Sequence, residues 1–219
     1  MILVIGGIKG GVGKSTMAAN LAVLAARQGQ DVLLADLDSQ QTTMTWAAAR
    51  ADNPRASVAV TTIAISGKQV RGELQRLAQK FPVVIVDAGA RDTTSQRAAL
   101  SVADSLLLPF PPRGPDLWTL DAVVQQVEEI RAINPGLRAI PFVNRADAVG
   151  SDNAEAEAAF AELAEHLTPA PVRVGTRKGI PMAHLTGLAA CEAVKPDSKA
   201  VDEIYALYQY IFSAYNTQK

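Results

Sequence analysis

The 219 residues are 48% hydrophobic and carry a net charge of −1, which excludes intrinsic disorder and any polycation that holds nucleic acid by its overall field. One cysteine, Cys191, excludes an intrachain disulfide and a single-chain site built from several thiolates. The opening MILVIGG has no basic n-region, and no apolar run reaches the roughly 18 to 20 residues of a membrane span, so a cytoplasmic protein without membrane contact is expected.

Apolar runs then alternate with helix-period stretches. Strands are expected at 2–6, 31–37, 56–63, 82–86, 105–110, 138–144 and 170–174. Helices are expected at 13–27, 70–79, 117–133, 153–167 and 198–215, the first with Met17, Leu21 and Leu24 on one face. The proline-rich stretch 109–115 reads as a loop at the carboxyl edge of a sheet. This order predicts an α/β fold, with a doubly wound, mainly parallel sheet and helices on both faces, as one domain over 1–219.

The first strand leads through Gly7 and Ile8 into Lys9, Gly10, Gly11, Val12, Gly13, Lys14, Ser15, Thr16 and a helix. Glycines let the backbone wrap around phosphates, and the helix start adds its positive end. Lys14 supplies a charge to the outer phosphates and Ser15 a hydroxyl to Mg²⁺. The loop therefore predicts an ATPase of the P-loop class with ATP and Mg²⁺ as cofactors. A glycine-rich turn with an exposed lysine is the bland alternative.

Two strand ends deliver carboxylates. Alternation sets Asp36 and Asp38 on one side of their strand, and Val84, Ile85 and Val86 end in Asp87, a rigid mount beside a metal. The metal set expected is Ser15, Asp36, Asp38 and Asp87, although strand-end carboxylates also cap helices.

KGGVGKST, with Ile8 where a P-loop normally starts on glycine, resembles the deviant phosphate loop of the ParA/MinD ATPases. DLDSQ is similar to that family's DxDPQ segment, with Ser39 in place of proline. The likeness is strongest over 1 to about 120, returns near 199–204, and looks most like the short plasmid-partition branch and a Ti-plasmid transfer protein. Residues 120–170 carry no matching motif. Asp87 is followed by Ala88, Gly89 and Ala90, a loose fit to the family.

The resemblance implies that Lys9 reaches across a dimer to the partner's nucleotide, the alternative being a solvated loop lysine. It implies that Asp38 orients the attacking water, that Asp36 lies beside the metal's ligands and that Gln40 attends the γ-phosphate. Asn144, otherwise an ordinary turn residue, would contact adenine together with Arg145. Arg173, Arg177, Lys178, Lys195 and Lys199 would bind DNA without sequence preference, where charge count alone allows a solvated surface.

The function implied is an ATPase that dimerises on Mg-ATP, binds DNA (and so associates with the nucleoid) and is released by hydrolysis. A ParB/ParG-like centromere-binding or adaptor protein would stimulate that hydrolysis. A MinD-like membrane switch is the first alternative, but the last helix lacks the lysines such a helix uses. A metabolic or redox P-loop enzyme is the second, and a single cysteine speaks against a cluster bridged by two. His166, His184 and Cys191 read as structural.

Overall fold

Leu3 and Ile5 are buried on one side of the sheet and Ile2 and Val4 on the other, so the first strand must be covered on both faces. The computed structural model describes residues 1–89 and 93–216. The order is β1 (Ile2–Ile5), α1 (Lys14–Arg27), β2 (Val32–Asp36), α2 (Thr42–Ala51), β3 (Thr61–Ala64), α3 (Val70–Ala78), β4 (Val83–Asp87), α4 (Thr94–Leu100) and β5 (Ser105–Phe110). It continues with α5 (Gly114–Leu117), α6 (Leu120–Arg131), β6 (Arg138–Ala146), α7 (Asp152–Glu162), β7 (Arg173–Gly175), α8 (Gly179–Leu185), a 3-10 turn at Ala190–Glu192 and α9 (Ser198–Asn216).

The described residues form one seven-stranded sheet in the order β3-β2-β4-β1-β5-β6-β7, and every pairing is parallel. Helices α1, α2, α8 and α9 fill one face and α3, α4, α6 and α7 the other. The expected fold class is the observed one. Chain direction across the sheet reverses around β1, which opens a crevice at the carboxyl ends of β1, β4 and β5. Register then matters for chemistry, because Asp87 pairs with Ile5 across one side of β4 and with Asp36 across the other. Both carboxylates thus end beside the strand that feeds the phosphate loop.

Several expected boundaries move for local reasons. The strand expected at 56–63 begins only at Thr61, because the Ser57 N–H and the Val58 carbonyl are bound to Glu192 and Arg50 instead of a ladder. The strand expected at 170–174 becomes Arg173–Gly175, since Pro169 and Pro171 cannot donate to a ladder. Within 109–115, Pro109 lies in β5 opposite Phe142, and Pro115 opens α5 where a missing N–H costs nothing. The helix expected at 117–133 is correspondingly split into α5 and α6. The helix expected to reach 167 ends at Glu162 and tightens into short turns over Ala161–Leu167. β6 runs two residues beyond Asn144 through a register irregularity that holds Arg145 at φ 57.

Candidate nucleotide site

β1 ends at Ile5 and α1 starts at Lys14, leaving residues 6–13 as the loop. Gly7, Gly11 and Gly13 adopt φ of 139, 73 and 96, where L side chains are strained. Gly13 is also crowded, since a Cβ there would lie 2.6 Å from Asn144 Nδ2. No side chain caps α1 and no acid sits in its first turn. Its first amide N–H groups and the positive end of its dipole therefore meet no capping side chain and no acid of the helix's own first turn. That is a phosphate cradle in waiting.

Lys14 is buried, and its ammonium donates to the Lys9 carbonyl at 2.6 Å across the loop. Burial pulls its pKa down, against the attraction of Asp87 and Asp38. Asp87 is fully buried, and burial raises its pKa against the Ser15 and Thr43 hydroxyls and Lys14. Thr43 donates to Asp87 Oδ2 at 2.8 Å, while buried Oδ1 has no hydrogen-bond partner among the described residues. A bare carboxylate oxygen beside a serine hydroxyl, at the foot of an anion cradle, suits a hard oxygen-seeking cation such as Mg²⁺. Among the described residues no three His, Cys, Asp or Glu side chains are gathered as a metal-binding group.

Asp36 has a different task. Its Oδ1 accepts from the Asp38 N–H at 2.9 Å and its Oδ2 from the Met44 N–H at 3.0 Å, so both oxygens shape the turn into α2. Burial raises its pKa against those two bonds. Expected as a residue beside the metal, it pairs in register with Asp87 and also holds the backbone of that turn. Asp38 accepts from the Gln40 N–H at 3.0 Å and presses on Gly89, whose absent Cβ would lie 2.9 Å from Asp38 Oδ2. Asp38 and Gln40 line a cleft of about 770 Å³ with Ser39, Ser66 and Thr93. Ala90 lies outside the described residues.

Lys9 is held within its own chain, its ammonium bound to the Pro115 carbonyl and 2.9 Å from Asp116 Oδ1 on α5. Asn144 is buried and donates from Nδ2 to the Val12 carbonyl at 2.7 Å, pinning the loop to the end of β6. It lines a pocket of about 300 Å³ with Thr16, Met17, Arg145, Thr176 and Pro181, next to the start of α1.

The basic residues are not equally available. Arg173 is paired with Glu157 through two bonds of 2.5 Å, and Arg177 with Glu203 at 2.5 Å. Those carboxylates hold both guanidinium pKa values above the usual range and balance their charge. Arg177 and Lys178 also line the pocket beside α1. Lys178, Lys195 and Lys199 are exposed, and Gly179 packs on Asp197, which brings Lys178 to the segment carrying the other two. His166 pairs with Glu128 at 3.0 Å, and His184 stacks on Trp46.

Sequence reasoning missed Thr43, Asp116, Glu157 and Glu203. Thr43 follows DLDSQ by only a few residues, and that proximity was the available signal. The other three are ordinary acids until the fold brings them to their partners.

Residues 3–172 match the family described as the CobQ/CobB/MinD/ParA nucleotide binding domain. The chain belongs to this family. The resemblance read from KGGVGKST and DLDSQ holds at that level. "Maintenance of carboxysome distribution protein A" of Gloeobacter kilaueensis is 32% identical over 118 residues, covering 54% of this chain and 52% of that protein. The chain thus matches about half the length of that curated relative. Among solved structures, apo McdA of Cyanthece superposes with a TM-score of 0.73 at 23% identity, over 94% of this chain and 98% of that one. A plasmid partition protein of Borrelia burgdorferi bound to AMPPNP gives 0.75 at 17% identity, over 97% and 98%. Both likenesses show the fold of the CobQ/CobB/MinD/ParA domain. Among the described residues no helix is long and apolar enough to cross a membrane.

Proposed function

We propose that this chain is a Mg-ATP-dependent ATPase that pairs with a second copy of itself in the ATP state and uses that cycle to position a cargo. One observation carries the reading: the uncapped start of α1 opens beside buried Lys14 and the unpartnered Oδ1 of Asp87. A triphosphate supplies the negative charge that the helix end and Lys14 lack, and Ser15 with Asp87 would hold Mg²⁺, which would screen the phosphate charge. Asp38, half-buried and lining the cleft, would orient water as hydrolysis proceeds.

DNA binding belongs to the same proposal, with its charge relocated. Arg173 and Arg177 are matched by Glu157 and Glu203, so among the described residues the unpaired charge of this set rests on Lys178, Lys195 and Lys199. A few lysines hold DNA weakly, whereas two copies of the patch in one dimer raise avidity by roughly 10² or more. The cargo class follows the relatives, one named for carboxysome distribution and one for plasmid partition. The adaptor that stimulates hydrolysis remains part of the proposal.

Calorimetric titration with Mg-ATP tests the core. Wild type should bind, and Lys14→Ala should lose at least about 100-fold in affinity, because a charge-assisted contact to phosphate disappears. Unchanged affinity would remove the reading. DNA anisotropy on the ATP state should fall with salt by a log–log slope of about −0.9 per phosphate contacted.

A further inference from the structure

Gln96 is an anomaly that the nucleotide site leaves unexplained. It lies on α4, has no exposed surface, and among the described residues both its amide nitrogen and its amide oxygen lack a hydrogen-bond partner. Its backbone is in order, the N–H donating to the Thr93 hydroxyl at 3.1 Å as the start of α4 requires. The side chain alone is orphaned. Buried polar groups are nearly always paired, and one left bare signals stored free energy, a functional task or an ordered water. A primary amide with two donors and an acceptor unmet is a strong instance.

Its neighbours say what the task is. A Cβ added to Gly6 would lie 3.3 Å from Gln96 Nε2 and 3.0 Å from Leu106 Cδ1, so the amide rests against the main chain at the root of the phosphate loop. Val4 and Leu106 wall the position with hydrocarbon. Gly6 is tied into the sheet by its N–H, which donates to the Leu107 carbonyl at 3.1 Å. Gly7 follows at φ 139, and glycine on both sides of that peptide leaves it free to rotate where other residues would resist.

We propose that Gln96 is a positioning residue whose amide gains its hydrogen bonds only when the phosphate loop holds nucleotide. The partner is the Gly6–Gly7 peptide, turned toward α4 as the loop closes on phosphate. The orphaned amide destabilises the nucleotide-free chain, and pairing stabilises the bound one. A ligand shifts a conformational equilibrium only by its differential interaction with the two states, and this pairing supplies one. The inference rests on the nucleotide reading of the loop.

Gln96→Met, near-isosteric and without polar atoms, is the test, with Gln96→Leu as a second variant should the first fail to fold. Thermal unfolding and calorimetric titration are run on wild type and variant, without ligand and with Mg and a slowly hydrolysed ATP analogue. The nucleotide-free melting temperature should rise by roughly 2 °C or more, because the bare amide is gone. Affinity for the analogue should weaken about tenfold, since the bound state no longer gains the pairing. A lower nucleotide-free melting temperature would mean that the amide is already satisfied by water and would overturn the proposal. A higher melting temperature with affinity unchanged within twofold would overturn it as well, leaving a purely structural residue. If wild type itself binds no analogue, the nucleotide reading fails and takes this inference with it, an outcome distinct from the other two.

Discussion

Replacing Glu192 with Gln removes one charge from the most enclosed ion pair of the chain that the structure describes. Its side chain is 1% exposed and that of Arg50, its partner, 6%. Arg50 grips it with both terminal nitrogens at 2.7 and 2.9 Å, while Ser57 donates from its N–H and hydroxyl at 2.8 and 2.6 Å and Ala189 from its N–H at 3.0 Å. Burial pushes the carboxyl pKa up, but the Arg50, Ser57 and Ala189 bonds prevail and leave it at about 2. Against an ordinary value of 4.5, that depression corresponds to about 3 kcal/mol of stability at neutral pH. In Glu192→Gln the amide nitrogen would face an Arg50 nitrogen, donor against donor, with the guanidinium left uncompensated, which again costs about 3–5 kcal/mol. The melting temperature at pH 7 should therefore fall by roughly 10 °C. Because the folded pKa is depressed, the contribution is present above about pH 4.5 and lost as pH falls toward 2. The gap between wild type and variant, measured by urea unfolding, should be constant from pH 7 to 5 and narrow below that. A variant within about 1 kcal/mol of wild type at pH 7, or a gap unmoved between pH 5 and 3, would refute the reasoning.

Asp116→Asn should free Lys9 and tighten the ATP-dependent dimer by up to about fivefold in light scattering, the modest size of a partly exposed pair. An unchanged or weaker dimer would show that Asp116 does not compete for Lys9. Asp38→Ala should still bind ATP and dimerise but hydrolyse about 10² more slowly, read by phosphate release. Wild-type turnover would move the water-orienting role to Gln40. Thr43→Val removes a donor from Asp87 Oδ2, so a carboxyl pKa already raised by burial rises further. As a ligand to a cation must be ionised, the loss of Mg-ATP affinity on acidification should set in at a higher pH than in wild type, and an identical pH profile in calorimetry would exclude Thr43 from the site.

The sheet was legible because its strands are continuous apolar runs, and β5 falls on its expected residues 105–110. The phosphate loop was legible because its glycines and Lys14 are contiguous. Pairings across the fold were not. Lys9 with Asp116, Arg177 with Glu203 and Asn144 with the Val12 carbonyl each join residues 26 to 132 positions apart, and no periodicity encodes such a separation. The pairing within the basic cluster was hidden for the same reason, since a charge count cannot see Glu157 and Glu203 arriving from α7 and α9. Alternation placed Asp36 on the side of Asp38 and the family resemblance placed it beside the metal, while the N–H groups it accepts from belong to the turn into α2.

α2 shows why a helix can be hidden and central together. Its buried residues are Thr43, Trp46 and Arg50, at helical spacing but two of them polar, so an apolar stripe never appears. No side chain caps its start, where Gln41 sits in the left-handed region. What holds it is specific bonding at both ends. At the first turn, Thr43 reaches Asp87 and the Met44 N–H reaches Asp36. Further along, Trp46 stacks on His184 and donates to the Leu188 carbonyl at 3.4 Å, and Arg50 engages Glu192, the Gly187 carbonyl and the Val58 carbonyl. Gly187 completes the fit, as a Cβ there would lie 2.2 Å from the Arg50 backbone nitrogen. Ten residues span about 15 Å, so one short rod joins the carboxylates of the nucleotide site to the segment between α8 and α9. Helices held by packing tolerate a shift of register, whereas a helix held by directed polar contacts at each end keeps one position. That rigidity suits a piece on which Asp36 and Asp87 both depend, and it places the Arg50–Glu192 pair within the physical support of the phosphate site.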